Sequence, residues 1–143
     1  MKGYLNNPDA TAETIVEDGW LRTGDLGAID NDGFLWIRDR LKELIKYKGF
    51  QVAPAEVEAA LLELPNVTDC AVLGMQDEDA GEVPVAFVVR RPDTEDSAED
   101  VIAALDGKLV SYKVPRSVSF IDAIPKTASG KILRRELRKQ VSG

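Results

Sequence analysis

An apolar stripe with a helical period runs from residue 54 to residue 64. Its members recur at i, i+3, i+4 and i+7, as on one face of an α-helix; they are Val57, Ala60, Leu61 and Leu64. Pro54 fits the first turn of a helix, whereas Pro65 cannot continue one. The glutamates between them are predicted to face solvent; they are Glu56, Glu58 and Glu63. We therefore predict a helix over residues 54–64.

A second amphipathic helix is predicted to begin after Ser97. Ser97 and Asp100 have the three-residue spacing of a capping box, which satisfies the free N–H groups of a first helical turn. The apolar positions that follow are Val101, Ile102, Leu105 and Leu109. Gly107 is expected to weaken the last turn by up to about 1 kcal/mol.

Apolar runs rich in β-branched residues predict strands over residues 67–75, 83–91 and 117–121. The second run alternates and places one set of side chains on a single face, namely Val83, Val85, Phe87 and Val89. Residues 76–82 are predicted to form a polar loop, and residues 50–52 a short extended segment. The order β-α-β-β-α-β predicts an α+β fold, a small sheet of about three strands with two helices covering one side.

Residues 20–37 predict a β-hairpin ahead of this sheet. The turn signal is Asn-Asp-Gly at residues 31–33, because Asn and Gly tolerate a positive φ. One carboxylate, Asp25, stands between two glycines in the first strand. Upstream, residues 8–15 can form two helical turns with Asn7 as the cap.

The segment of residues 38–49 (RDRLKELIKYKG) joins the hairpin to the sheet. Its cations after Asp39 are Arg40, Lys42, Lys46 and Lys48. Lys42 and Lys46 have a helical spacing, whereas all four cations together would share one face of a strand. No single period fits the segment, which favours a turn or joint that directs two or three cations toward one place. The alternative is a solvated basic surface beside a small apolar patch.

Composition places the chain among ordinary globular proteins, with 143 residues, 44% hydrophobic and 30% charged. No apolar run approaches the ~18 residues that a membrane span needs, and the first residues do not resemble a secretory signal. The single cysteine, Cys70, is interpreted as core filler and fits a reducing, cytoplasmic compartment. With no histidine, a structural zinc site is not expected, and we predict no metal-binding residue.

The net charge of −7 is unevenly distributed. Residues 126–139 hold six basic side chains against one acidic side chain, so the remainder of the chain is strongly acidic. An acidic body repels long nucleic acid, so a small anion held at one spot is the better prediction.

The basic tail contains Ser129-Gly130-Lys131, which invites comparison with a phosphate-binding P-loop. That motif fails, because it requires a glycine five residues before Gly130 and a Ser or Thr where Ile132 stands. What remains is a lysine, Lys131, on a loop of small residues ahead of a short basic helix. Such a loop lets the backbone approach a ligand closely.

Four blocks in this order resemble the adenylate-forming ligases, the family of acyl- and aryl-CoA synthetases, luciferase-like enzymes and peptide-synthetase adenylation domains. They are residues 3–8 (GYLNNP), 20–26 (WLRTGDL), 39–56 and 125–137 (PKTASGKILRREL). The central block is most similar to the branch of aryl-CoA and fatty-acyl-CoA ligases, which includes the 4-coumarate-CoA ligases.

The resemblance implies that the chain is the C-terminal part of a larger enzyme. Residues 1–38 would end the large adenylation domain, residues 39–42 would be a hinge, and residues 43–143 a mobile lid. ATP, with Mg²⁺ held by the absent N-terminal domain, and coenzyme A would be the ligands. Acyl-adenylate would be the intermediate, and the isolated chain would be inactive.

The resemblance also assigns roles to single residues. Lys131 would stabilise the transition state of adenylate formation, Asp25 would accept the ribose hydroxyls, and Arg40 would contact the ribose-phosphate side. Lys42 would be the hinge about which the lid rotates between the two half-reactions.

After that rotation, Lys46 and Gln51 would face the adenylate. Gly49 would let the pantetheine arm of coenzyme A pass.

Simpler interpretations remain for these residues. Asp25 could cap a turn, and Lys131, Lys46 and Gln51 could be ordinary surface side chains. Four aromatic residues are interpreted as core or interdomain packing: Trp20, Phe34, Trp36 and Phe87. The alternative functions are a lid of a non-CoA adenylate-forming enzyme and a non-catalytic interaction module. In isolation, residues 1–38 are expected to be less ordered than residues 50–125.

Overall fold

The structure, a computed structural model, describes residues 1–141, with side chains to Gln140. The chain divides between Lys42 and Glu43 into two compact units. The break falls in a 3-10 turn, Leu41–Glu43, within the segment for which a turn or joint was predicted. That this turn acts as a hinge stays a prediction.

The first unit, residues 1–42, contains one short helix and one hairpin. Helix α1 spans Pro8–Thr14, and the side chain of Asn7 caps it by accepting a hydrogen bond from the N–H of Ala10 (3.1 Å). Strands β1 (Asp25–Ile29) and β2 (Leu35–Arg40) pair antiparallel, as predicted.

None of residues 1–42 is buried. Three of the aromatic residues interpreted as packing are more than half exposed within the structure, namely Trp20, Phe34 and Trp36. They are therefore not core residues, because this unit is too thin to have an interior. Phe87, in the second unit, is 2% exposed and is a core residue as interpreted.

In its described part, residues 43–141, the second unit holds a five-stranded sheet and three helices. Strand order is β4-β3-β6-β5, and β7 runs parallel to β6. In chain order, the elements are β3 (Ile45–Tyr47), β4 (Phe50–Val52), α2 (Pro54–Leu62), β5 (Val67–Asp77), β6 (Gly81–Arg90), α3 (Ala98–Ala103), β7 (Ser117–Phe120) and α4 (Arg134–Val141). The α+β class and the β-α-β-β-α-β order from β4 onward are confirmed. The sheet has more strands than the three predicted, because β3 and β4 are too short to give a periodic signal.

Apolar side chains are buried on both faces of this sheet. On one face, α2 and α3 cover Val72, Ala86 and Val88. On the other face, Phe87 and its neighbours pack against residues of the tail, including Leu137 of α4. The prediction that helices cover one side was therefore incomplete. The basic composition of the tail concealed the burial of Leu137.

Two predicted boundaries were wrong. The polar loop over residues 76–82 is mostly strand, because β5 and β6 pair as far as Asp77 and Gly81. The predicted helix to Leu109 ends at Ala103 and continues as tight turns. Gly107, with φ of 75°, lies outside a right-handed helix. The cap at Ser97 is confirmed, with both arms of the capping box formed to Asp100.

Candidate active site

Asp25 and Arg40 form an ion pair at the open end of the hairpin. They are cross-strand partners in β1 and β2, which brings Nε of Arg40 within 2.8 Å of Oδ1 of Asp25. Thr23 holds both residues: its hydroxyl accepts from the N–H of Asp25 (3.2 Å), and its carbonyl accepts from the Arg40 guanidinium (3.2 Å). Arg40 remains 57% exposed and Asp25 21% exposed, so the pair presents both charges at a surface.

Lys42 lies in the 3-10 turn where the first unit ends. Its side chain is exposed. No hydrogen bond or ion pair holds its ammonium group among the side chains described to Gln140.

Lys46 and Gln51 are cross-strand partners in the β3–β4 hairpin. Both are exposed, while Ile45 and Val52, their neighbours on the opposite side of the strands, are buried. Alternation along a strand therefore fixes which way Lys46 and Gln51 point.

The turn of this hairpin is Lys48-Gly49, with φ of 45° and 84°. Two central residues with positive φ characterise a type I′ turn, which favours glycine. A Cβ on Gly49 would meet no atom within 4 Å. Backbone conformation therefore explains this glycine within the chain itself, whatever passes beside it.

Two contacts with the 112–116 segment support the hairpin. The ring of Phe50 stacks on that of Tyr112 with centroids 4.6 Å apart. The guanidinium of Arg116 donates to the hydroxyl of Tyr47 (2.8 Å) and lies 5.2 Å from its ring centroid.

Lys131 ends a small closed loop that begins at Thr127. The N–H of Thr127 donates to the carbonyl of Lys131 (2.8 Å), and the N–H of Lys131 donates to the Thr127 hydroxyl (3.1 Å). Gly130, with φ of 83°, permits the tight turn. The Lys131 side chain is exposed, and its ammonium contacts no acidic group in the part of the chain with described side chains.

Ion pairs on either side anchor this loop, and sequence reasoning missed both. Before the loop, Nζ of Lys126 lies 2.6 Å from Oδ2 of Asp69. After it, the Arg134 guanidinium lies 2.6 Å from Oε1 of Glu58 and donates through Nε to the carbonyl of Val72 (3.0 Å).

Glu58 was predicted to face solvent, and that prediction was wrong. Its side chain is 13% exposed and accepts hydrogen bonds from the N–H of Val72 (2.9 Å) and from Arg134 (2.6 Å). Position 58 lies three residues before Leu61, so it borders the apolar stripe of α2. Proximity to that stripe was the one available signal, because nothing local revealed that the tail supplies a cation.

Cys70 lies beside this anchor and is buried, with its thiol 3.4 Å from the carbonyl of Glu58. Burial, reinforced by the Glu58 and Asp69 carboxylates, raises the pKa of the thiol to about 12. A thiol that stays protonated is a poor nucleophile, so the interpretation as core filler is supported.

The sequence profile of the AMP-binding enzyme C-terminal domain family matches residues 56–131, just over half of the chain. The chain belongs to this family. The resemblance inferred from the four blocks is thereby confirmed. The matched range ends on Lys131 and includes both acidic anchors of its loop, Glu58 and Asp69.

Relatives of this AMP-binding C-terminal domain are CoA ligases. The chain is 61% identical over 142 residues to 4-coumarate–CoA ligase 1 of Arabidopsis thaliana. That alignment covers 99% of the chain and 25% of the relative, so the chain spans about a quarter of the relative's length.

Solved structures share the fold. ATP-bound MatB of Rhodopseudomonas palustris aligns with a TM-score of 0.91 and 37% identity, over 97% of this chain and 28% of that chain. The amide bond synthetase McbA of Marinactinospora thermotolerans aligns with a TM-score of 0.87 and 38% identity, over 98% and 29%.

In this AMP-binding C-terminal domain, the predicted site residues fall into three groups. Asp25 and Arg40 are brought together within the first unit. Lys46 and Gln51 are brought together on one hairpin of the second unit, with Gly49 at its turn. Lys131 lies on a separate loop of the second unit.

Proposed function

We propose that the chain is the C-terminal part of an ATP-dependent carboxylic acid–CoA ligase. The enzyme activates an acid as its acyl-adenylate and then transfers the acyl group to coenzyme A. The observation that carries the proposal is the pair of exposed lysines, Lys131 on the 127–131 loop and Lys46 on the β3–β4 hairpin, without acidic partners among the described side chains. Each lysine can stabilise negative charge in one of the two half-reactions, adenylate formation and transfer to coenzyme A.

In the first half-reaction, a carboxylate oxygen of the acid attacks the α-phosphorus of ATP. The bond to the β-phosphate breaks, and pyrophosphate leaves. Negative charge builds on the α-phosphate oxygens, and the ammonium of Lys131 stabilises it. An unpartnered lysine suits this task, because an existing carboxylate partner would cancel its charge.

The hairpin pair belongs to nucleotide binding in this proposal. Asp25 accepts the ribose hydroxyls through its carboxylate, and Arg40 contacts the ribose-phosphate side. Their ion pair supports this assignment, because it holds the carboxylate in one orientation while both groups remain at the surface.

In the second half-reaction, the thiol of coenzyme A loses its proton to solvent and its sulfur attacks the carbonyl carbon of the acyl-adenylate. A C–S bond forms, the C–O bond to phosphate breaks, and AMP leaves. Lys46 and Gln51 face the adenylate in this step, and Gly49 lines the path of the pantetheine arm. The lid, residues 43–143, turns about Lys42 between the steps. The break between two compact units after Lys42 supports a hinge there.

Mg²⁺ that accompanies ATP would be held elsewhere in the enzyme. Within the part of the chain that the structure describes, no cluster of acidic, histidine or cysteine side chains could hold a metal ion, so no step above is assigned to one. None of the helices in that part has the length and apolar character needed to cross a membrane. The cytoplasmic location stays a prediction.

Replacing Lys131 by Ala in the intact ligase tests the first assignment. We expect the rate of adenylate formation, measured as pyrophosphate release, to fall about 100- to 1,000-fold. This is the usual cost of losing one hydrogen-bond donor or cation that stabilises a transition state. Transfer from supplied acyl-adenylate to coenzyme A should be nearly unchanged. Lys139→Ala is the matched control, since it removes a lysine of the same tail whose ion pair is with the exposed Glu136. Unchanged adenylation in Lys131→Ala would favour the non-catalytic interaction module instead.

The reciprocal variant is Lys46→Ala. It should slow transfer to coenzyme A and leave pyrophosphate release close to normal. Equal losses in both half-reactions would contradict the assignment of the two lysines to separate steps.

A second candidate is the lid of an adenylate-forming enzyme that does not use coenzyme A. The likeness to the amide bond synthetase McbA favours it. Product analysis of the intact enzyme supplied with acid, ATP and either coenzyme A or an amine distinguishes the candidates. A thioester supports the ligase, and an amide as sole product supports the second candidate.

A further inference from the structure

The carboxylate of Glu82 bridges two strands where their backbone pairing stops. Strands β3 and β6 pair through Tyr47 and Gly81, and the N–H of Lys48 donates to the carbonyl of Ala80 (2.9 Å). At Lys46, the residue before Tyr47 in β3, the backbone N–H donates to Oε2 of Glu82 (2.8 Å). A side chain therefore holds β3 at this point.

Two residues of β5, Gln76 and Gly74, accommodate the Glu82 carboxylate. Oε1 of Glu82 accepts from the amide of Gln76 (3.3 Å), so both oxygens are engaged. A Cβ added to Gly74 would lie 3.2 Å from Oε2 of Glu82 and 3.2 Å from Cγ2 of Ile45. Glycine at position 74 thus leaves the space through which the carboxylate reaches β3.

Glu82 also lines an open groove of about 430 Å³, whose other lining residues are Gly74, Met75, Gln76 and the basic residue Arg138. Removal of the carboxylate would let water reach the freed N–H of Lys46, so the cost to folding should be modest. The main effect should fall on the position of β3.

We propose that Glu82 is a positioning residue that aims Lys46 during transfer of the acyl group to coenzyme A. The inference rests on the proposed role of Lys46. Glu82 accepts a hydrogen bond from the backbone N–H of Lys46 itself. Lys46 lies four residues after Lys42, the last residue of the first unit. The strand is three residues long, so loss of this contact leaves its start held by backbone pairing with β4 and by the buried side chain of Ile45. A displacement of about 1 Å at a catalytic group can cost up to about a hundredfold in rate.

The first test compares half-reactions in the intact ligase. Glu82→Ala should slow transfer from supplied acyl-adenylate to coenzyme A by about tenfold, within the range that misplacement produces, and change pyrophosphate release by less than about twofold. Glu82→Gln should retain most of the transfer rate, because its amide oxygen can accept the same N–H. Glu78→Ala, which removes an exposed acid from the turn of the same β-hairpin, should match the unmodified enzyme.

Parallel losses in both half-reactions would show a merely structural role for Glu82 and overturn the proposal. An unchanged transfer rate in Glu82→Ala would overturn it too, as would a Gln variant no better than the Ala variant.

The second test uses the 143-residue chain and needs no activity. Hydrogen exchange of the Lys46 amide should be faster in Glu82→Ala than in the unmodified chain, and close to normal in Glu82→Gln and Glu78→Ala. Unchanged exchange in Glu82→Ala would overturn the anchoring contact. If exchange responds as expected but Lys46→Ala transfers normally in the intact enzyme, the proposed function of Lys46 fails and the positioning role fails with it, while the contact stands.

Discussion

The loop that carries Lys131 and the hairpin that carries Lys46 present similar side chains on different supports. Side-chain ion pairs, Lys126–Asp69 and Arg134–Glu58, bracket the Lys131 loop. Backbone pairing between β3 and β4 forms the Lys46 hairpin, and one carboxylate, Glu82, holds its edge. The loop therefore depends on charge, and the hairpin depends on backbone conformation.

This difference separates two kinds of sensitivity. Ion pairs are screened by salt when they are exposed and are costly to break when they are buried. The stability of a tight turn does not depend on salt concentration, but it falls when glycine is replaced by a residue that disfavours a positive φ. Substitutions in each support should therefore differ in size and in salt dependence.

Arg134→Ala should have the largest effect, because it leaves the mostly buried Glu58 carboxylate without its cation. Removing one partner of a buried pair costs about 3–5 kcal/mol, and partial exposure places this pair at about 3 kcal/mol or below. Urea unfolding of the chain measures the loss. Arg135→Ala, an exposed neighbour in α4, is the control and should change stability by less than about 0.5 kcal/mol. Equal stability of the two variants would contradict the role of the anchor.

Gly49→Ala should come next, at about 1 kcal/mol, because alanine is strained at a φ of 84°. The loss should not change between low and high salt. Lys48→Asn is the opposite test, since Asn-Gly suits a type I′ turn, and it should stabilise the hairpin slightly. Thermal melts of both variants at two salt concentrations provide the measurement.

Lys126→Met should cost only about 0.5 kcal/mol, the range typical of partly exposed ion pairs. Both partners of this pair are about one-third exposed, at 36% and 33%. The loss should shrink at 1 M salt, where charges are screened within about 3 Å. A loss that persists at high salt would mean that packing, and not charge, fixes this end of the loop.

The smallest effect expected at neutral pH concerns Cys70. Its pKa is raised to about 12, so the neutral thiol stabilises the folded state below the ordinary thiol pKa near 9. That contribution is lost as the pH rises from about 9 through 12. At pH 8, only about one thiol in ten thousand is ionised, by the usual tenfold per pH unit. Alkylation followed by mass spectrometry should therefore be slow in the folded chain and faster in Arg134→Ala, whose anchor over Glu58 is missing.

The four blocks singled out Asp25, Arg40, Lys46 and Gln51, but not how these residues meet. The structure pairs Asp25 with Arg40 and places Lys46 and Gln51 on one hairpin, and neither contact was predicted from the sequence. Hydrophobic periodicity placed α2, β6 and β7, because those elements bury regular sets of side chains. Whether these residues act as proposed stays a prediction.

The supports could not be predicted, because they join segments distant in sequence. Glu58 and Arg134 are 76 residues apart, and Lys46 and Glu82 are 36 apart. A glutamate beside an apolar stripe has the same local pattern whether it meets water or a distant cation. The end of α3 was mispredicted for a different reason. Leu105 lies beyond the last helical residue, Ala103, but is still buried, so the apolar pattern continues past the end of the helix.

Leu137, fully enclosed against the sheet although it belongs to a strongly basic helix, has a consequence for biosynthesis. The sheet cannot close its second face until α4 has left the ribosome exit tunnel. Nascent chains that stall before that point would leave Phe87 and Leu73 exposed to water, where chaperones could bind them.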